Sequence, residues 1–362
     1  MEFTAISRLD KGKLVVEVNA PEADKTTQYA YYLFEKSRGV LVKRMYISKS
    51  TFSFDLPDSG QYFVRAYVRH WPNGREGDPV ITVQQTSNVT IYPKKSLSYE
   101  EMDEESFVSP EGMIYDILWN GIHYEFYIHN HPGSSNAVIF GSGALRSTQK
   151  PHFNRISWGA EIAATTIYYF DPTLYLGSLT VGWGYGTNDQ WYLANIATLL
   201  KKILGKLNIP ASNTLFYGSS AGGFMSMGLA AMFHSRATVI HPQFIVENYT
   251  PRAVESMKQI CLKEGESLLP ERTHTAAIFE RQSYVPSIHI VENMQSKNDV
   301  VDQLIPFLKE LTELTEMSPL CSDRLCVEFY SAPGGHNAMP PKETCLRHIA
   351  EDLARPLPAA LD

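Results

Sequence analysis

Over its first ninety residues the chain alternates apolar and polar positions with a period of two. Leu14, Val16 and Val18 alternate with Val15 and Glu17, and Tyr62, Val64, Ala66 and Val68 alternate with Phe63, Arg65, Tyr67 and Arg69. Such a period turns one face of a strand to a core and the other to solvent. The breaks between runs, Pro57-Asp58-Ser59-Gly60 and Pro72-Asn73-Gly74, hold residues that supply turn dihedrals. Residues 1–93 are therefore expected to form a small all-β sandwich with Arg65, Tyr67 and Arg69 facing outward. Residues 94–110, which include Glu100, Glu101, Asp103, Glu104 and Glu105, read as a charged linker.

From residue 111 to 362 the pattern changes. Apolar, strand-like runs at 123–128, 137–140, 163–169, 214–217, 238–240, 287–291 and 325–330 alternate with helical patterns at 190–204, 223–233, 301–314 and 342–353. That alternation predicts an α/β domain, a mostly parallel sheet flanked by helices. Apolar residues make up 44% of the chain and charged ones 20%, which leaves enough material for a packed core and argues against disorder.

Charge narrows the possible partners. The net charge is −7 and no Lys/Arg run is long enough to follow a phosphate backbone, so nucleic acid is not expected. No stretch approaches the ~20 apolar residues that span a bilayer. Met1 to Lys13 carries charges and no apolar run, so no leader is expected and the protein is read as cytoplasmic. Cys261, Cys321, Cys326 and Cys345 lack metal-type spacing and are expected as free thiols; Cys321 and Cys326 would pair only in an oxidising compartment. His123, His129 and His131 lack a nearby carboxylate to complete a ligand set, and no metal is expected.

The chemistry concentrates at Gly218-Ser219-Ser220-Ala221-Gly222. This G-x-S-x-G follows the short strand at 214–217 and precedes an Ala/Met/Leu helix, the context in which a nucleophilic serine sits on a tight strand-to-helix turn. Ser220 takes that place. In such folds the acid and then the base follow later strands, which points to His336 in Gly334-Gly335-His336-Asn337 and to Asp299 after the strand at 287–291. Asp302, Glu292 and Glu247 are the other carboxylates in position to orient the histidine. The oxyanion amides are expected from Ala221 and from Ser142 or Gly141, in a loop of small residues after the strand at 137–140. The aromatic loop with Trp183 and Tyr185 would stack on a sugar or pack as a structural element, and Arg146 would bind a carboxylate or phosphate.

At Tyr217-Gly-Ser-Ser220-Ala-Gly-Gly223, Asp299 and Gly335-His336-Asn337 the chain resembles the α/β-hydrolase superfamily, over about residues 111–362. Leu56-Pro-Asp-Ser-Gly-Gln-Tyr62 resembles the tyrosine corner of fibronectin type III and immunoglobulin-like domains. The pairing of a β-sandwich with a Ser-Ala-Gly-Gly elbow is similar to bacterial surface-glycan O-acetyltransferases of the capsule and accessory-secretion type. That resemblance implies acetyl-CoA as donor and a polysaccharide or glycan hydroxyl as acceptor. An esterase or deacetylase, and a non-catalytic glycan-binding protein, are the alternative readings.

Overall fold

The structure, a computed structural model, describes residues 1–357 except 11, 76, 146–149 and 317–323. The chain divides into two units, Met1–Pro93 and Lys94–Asp362. In the first, among the described residues, period-two alternation becomes two antiparallel sheets. Thr4–Asp10, Lys13–Asn19 and Thr51–Asp55 form one; Gly39–Ile47, Gln28–Glu35, Gly60–His70 and Val80–Gln85 form the other, with Val89–Ile91 against the start of Gly60–His70. Leu14, Val16 and Phe54 from one sheet and Tyr31, Leu33, Tyr62, Val64 and Ala66 from the other share one core. The buried Tyr62 hydroxyl donates to the Asp58 carbonyl at 2.8 Å, which ties the chain back at the head of its strand. Arg65 points outward over the Phe34 and Phe63 rings.

The strands of the second unit are β1 (Lys94–Ser98), β2 (Met113–Trp119), β3 (Ile122–His129), β4 (Ala137–Gly141), β5 (Thr165–Tyr169), β6 (Thr214–Ser219), β7 (Arg236–Ile240), β8 (Ser287–Asn293) and β9 (Leu325–Tyr330). Among the described residues they form one sheet in the order β1-β2-β3-β5-β4-β6-β7-β8-β9, parallel throughout except at β3, which runs against both neighbours. The central strands β4, β5 and β7 are buried along their whole length, as strands covered on both faces must be.

One expectation needs correction. The stretch read as linker begins with β1, which pairs with β2, and Met102 and Phe107 behind it are fully buried. The acidic run from Glu100 to Glu105 misled because it directly follows an edge strand, Lys94–Ser98, instead of a free chain. Lys94 Nζ lies 2.9 Å from Asp116 Oδ2 and 2.8 Å from the buried Glu125, so the lysine completes the sheet's edge electrostatically.

Helices α1 (Tyr192–Lys206), α2 (Ala221–Phe233), α3 (Pro251–Cys261), α4 (Pro270–Thr273), α5 (Thr275–Gln282) and α6 (Ile305–Glu316) connect the strands, and α7 (Lys342–Ala354) follows the last of them. Every residue of α2 is buried, which explains why its sequence is Ala, Gly, Met, Leu and Phe with a single Ser226 and no charged residue. A π-helical segment, Asn298–Leu304, precedes α6 where a plain loop and helix start were expected.

Candidate active site

β6 ends on Ser219 and α2 begins on Ala221, so Ser220 alone turns the chain from strand to helix. Its dihedrals, φ 57° and ψ −129°, lie where L-residues are strained. The turn is fixed by the Ser220 N–H to the Ile240 carbonyl at 3.1 Å, and by the Gly223 and Phe224 N–H groups to the Ser220 carbonyl. Small neighbours are a steric necessity. A Cβ on Gly218 would run into the Gly222 carbonyl, and one on Gly222 would lie 2.5 Å from the Gly141 oxygen.

His336 lies in a 3₁₀ turn, Gly335–Asn337, that follows β9; Gly334 and Gly335 both have positive φ, which lets the chain reverse there. Its Nε2 is 3.1 Å from Ser220 Oγ, and its Nδ1 is 2.9 Å from each oxygen of Asp299. Asp299 is buried in the π-helical segment after β8 and also accepts from Ser296 Oγ. The tautomer follows from these partners. Nδ1–H donates to the carboxylate, which leaves the Nε2 lone pair facing the serine hydroxyl.

Of the other carboxylates, Asp302 is exposed, and Glu247 accepts from Thr273 and faces His274. Glu292 is fully buried and neither of its oxygens is hydrogen-bonded. Burial, and secondarily the charge of Asp299, push its pKa from an ordinary 4.5 to about 9, so it is a neutral neighbour of the Asp299 carboxylate.

In the loop expected to supply the second oxyanion amide, the residues that line the cavity beside Ser220 are Gly143 and Ala144, next along the chain from Gly141 and Ser142. β4 continues through Gly141, which pairs with Tyr169 and Gly218 inside the sheet, and Ser142 Oγ turns to the His152 carbonyl. The wall beside Ser220 is instead made by Gly143 and Ala144, and a Cβ on Gly143 would lie 3.7 Å from that of Ser220. Ala221 opens α2 directly behind the serine.

Trp183 and Tyr185 correct the expectation of stacking on a substrate, because both rings are fully buried. Gly182 and Gly186 leave no room for a Cβ, so the loop packs inward. Its tie to the site is indirect. Trp183 Nε1–H donates to Gln243 Oε1, and Gln243 Nε2 donates to Ser220 Oγ at 3.1 Å while its backbone N–H reaches the Ser220 carbonyl at 3.2 Å. An indole N–H only donates, so it orients the amide with its NH₂ toward the serine.

Gln243 carries no sequence signal beyond its place after β7. Nor does His241, whose Nδ1–H donates to the His336 carbonyl at 3.1 Å while its Nε2 meets the Tyr330 hydroxyl. Burial lowers the His241 pKa, consistent with a neutral ring in that role. Ser220 and His336 open into a cavity of roughly 540 Å³ lined also by His152, Asn154, Arg155 and Asn337. The Arg155 guanidinium lies over the Trp158 and Tyr217 rings and donates to Ser219 Oγ at 2.9 Å. Arg146 and Cys321 lie outside the described residues. Cys261, Cys326 and Cys345 are free.

No family model matches the chain, and no curated protein does. Among solved structures it is similar to the capsule O-acetyltransferase of Neisseria meningitidis serogroup A, at 15% identity and a TM-score of 0.47, covering 65% of this chain and 94% of that one. A mutant of that enzyme has been solved in complex with CoA. The chain is also similar to an S-formylglutathione hydrolase from Agrobacterium tumefaciens, at 13% identity and a TM-score of 0.49, covering 68% and 97%. A third likeness is to the glycosylation-associated Gap123 complex of Streptococcus agalactiae, at 12% identity and a TM-score of 0.46, covering 97% of this chain and 62% of that one. The solved structures similar to this chain thus include an O-acetyltransferase, a hydrolase and a carboxyl esterase. Among the described residues, no helix is long and apolar enough to cross a membrane.

Proposed function

We propose that the chain is a serine acyl-transfer enzyme in which Ser220 is the nucleophile, His336 the general base and Asp299 the acid that orients it. The observation that carries this reading is the hydrogen-bonded series Asp299–His336–Ser220, with the serine on a strained turn at the floor of an open cavity. His336 Nε2 takes the hydroxyl proton as Ser220 Oγ bonds to the acyl carbon, and the carbonyl oxygen becomes an oxyanion held by the backbone N–H groups of Ala221 and Gly143. The oxyanion collapses and the leaving group departs with the proton from His336, which leaves an acyl-serine. A second hydroxyl then repeats these steps in reverse.

The donor in this reading is acetyl-CoA and the acceptor a glycan hydroxyl. A cavity wall of histidine, asparagine and arginine suits a polyhydroxylated acceptor better than an apolar acyl chain. The first unit is read as a fibronectin type III-like sandwich, on the Tyr62 corner and the shared core of its two sheets. A cytoplasmic address fits the free cysteines. Intact mass after incubation with acetyl-CoA is expected to show a single acetyl adduct that Ser220→Ala lacks, with turnover reduced ~10⁴-fold or more in that variant. Rapid hydrolysis of small acetyl esters, with no adduct and no acceleration by a glycan, would replace the transferase with an esterase.

A further inference from the structure

A second polar cluster lies within the larger unit, where α7 packs against β8 and β9. His289 comes from β8, Glu328 from β9, and His348 and Asp352 from α7. His289 Nδ1 lies 2.7 Å from Asp352 Oδ2, and the same oxygen accepts from Thr238 Oγ1 at 2.7 Å. The Nδ1 proton is therefore spent on the carboxylate, and Nε2 presents a lone pair. That lone pair faces Glu328 Oε2 at 3.5 Å, which also lies 3.1 Å from His348 Nε2. His289 Nε2 and both ring nitrogens of His348 make no hydrogen bond, although the two residues are only 8% and 1% exposed. The His289 Nε2 lone pair, the Glu328 carboxylate oxygen and His348 Nε2, on a ring whose proton no hydrogen bond assigns to either nitrogen, converge on one point that a cation would join.

We propose that His289, Glu328 and His348 bind one divalent transition-metal ion, of which zinc best matches two imidazoles and a carboxylate. In a tetrahedral site with bonds of about 2.1 Å, neighbouring ligand atoms stand roughly 3.4 Å apart, close to the 3.1 and 3.5 Å measured here. All three ligand atoms lie within 4.8 Å of one another. Asp352 acts as the outer carboxylate that fixes the His289 tautomer. The Glu328 side chain, 41% exposed, opens the site to solvent and leaves a fourth position for water. The ion would fasten α7 to β8 and β9, the strands whose following segments carry Asp299 and His336. Its role is architectural and independent of the acyl chemistry.

The test is zinc titration of the chelator-stripped full chain by calorimetry, paired with elemental analysis after dialysis. One zinc per chain is expected, with affinity reduced at least tenfold in Glu328→Gln and His348→Gln and unchanged in His336→Ala. The thermal transition should rise by about 5 °C with zinc in excess, a shift absent from both cluster variants. Glu328 is part-exposed, so its variant folds even if His348→Gln does not. Failure to retain zinc would mean that a proton and not a metal ion joins the three groups. Binding that survives Glu328→Gln, or that is lost in His336→Ala, would put the ion elsewhere. Each of these results overturns the proposal.

Discussion

The serine hydroxyl accepts from one group and donates to another, and the two partners differ in how visible they were. His336 and Asp299 could be read from the chain because each follows a strand in the order the resembling fold uses. Gln243 could not, because a glutamine in a loop has no period and no motif; only the Trp183 indole, brought in from 60 positions away, gives its amide a direction. Gln243→Leu removes the donor to Ser220 Oγ and is expected to lower kcat/KM about 10- to 100-fold, since a hydrogen bond to a group that develops charge is worth roughly 1.5–3 kcal/mol. Steady-state kinetics with an acetyl ester checks this, with urea unfolding to separate any loss of fold. Glu292 gives a pH prediction. Its proton is held up to about pH 9 in the folded chain but released near 4.5 when unfolded, so the folded state loses stability as pH rises through that window. Glu292→Gln has no proton to lose. The variant should match the wild type near pH 4.5 and exceed it progressively toward pH 9, by at most about 1.4 kcal/mol per pH unit, in urea titrations at three pH values.

At the level of elements, strands that are apolar throughout and helices with a clear period were easy to place, whereas β2 and α3 were overlooked. β2 mixes Asp116 into an apolar run because that carboxylate pairs with Lys94, and α3 is only half-apolar because one face is wet. The glycines show which elements tolerate change. Gly218 closes β6 against the first turn of α2, and a methyl group there would collide with the Gly222 carbonyl, which cannot yield without opening the elbow. Gly205 lies exposed in α1 with nothing within 4 Å of an added Cβ. Gly218→Ala is therefore expected to cost about 3 kcal/mol or more, and Gly205→Ala to gain roughly 0.5–1 kcal/mol from reduced chain entropy. Denaturant midpoints of the two variants should move in opposite directions. A Gly218→Ala variant as stable as the wild type would mean that the collision at Gly218 is relieved by a shift of the backbone.

For the whole molecule, the change from period-two alternation to alternating strands and helices was legible in the hydrophobic pattern, but where the second unit begins was not. A dense acidic run reads as solvated chain unless one knows that a sheet edge lies beside it, and only the fold reveals that Lys94 faces two carboxylates of that sheet. This difference can be measured by truncation. Every side chain assigned here to the acyl chemistry lies within Lys94–Asp362, which has its own core. A chain beginning just before Lys94 should fold and form the acyl-serine at near the full-length rate. A chain beginning at Glu111 loses β1 and the buried Met102 and Phe107. It also takes Lys94 from Glu125, 4% exposed, which among the described residues keeps the Tyr175 hydroxyl as a side-chain partner. Removing one partner of a buried charge costs on the order of 3–5 kcal/mol, and the lost apolar burial adds to it, against a total stability of about 5–15 kcal/mol. The shorter chain should therefore be largely insoluble, or unfold at least 10 °C below the longer one in a thermal melt. Equal melting temperatures for the two truncations would mean that residues 94–110 are a linker after all.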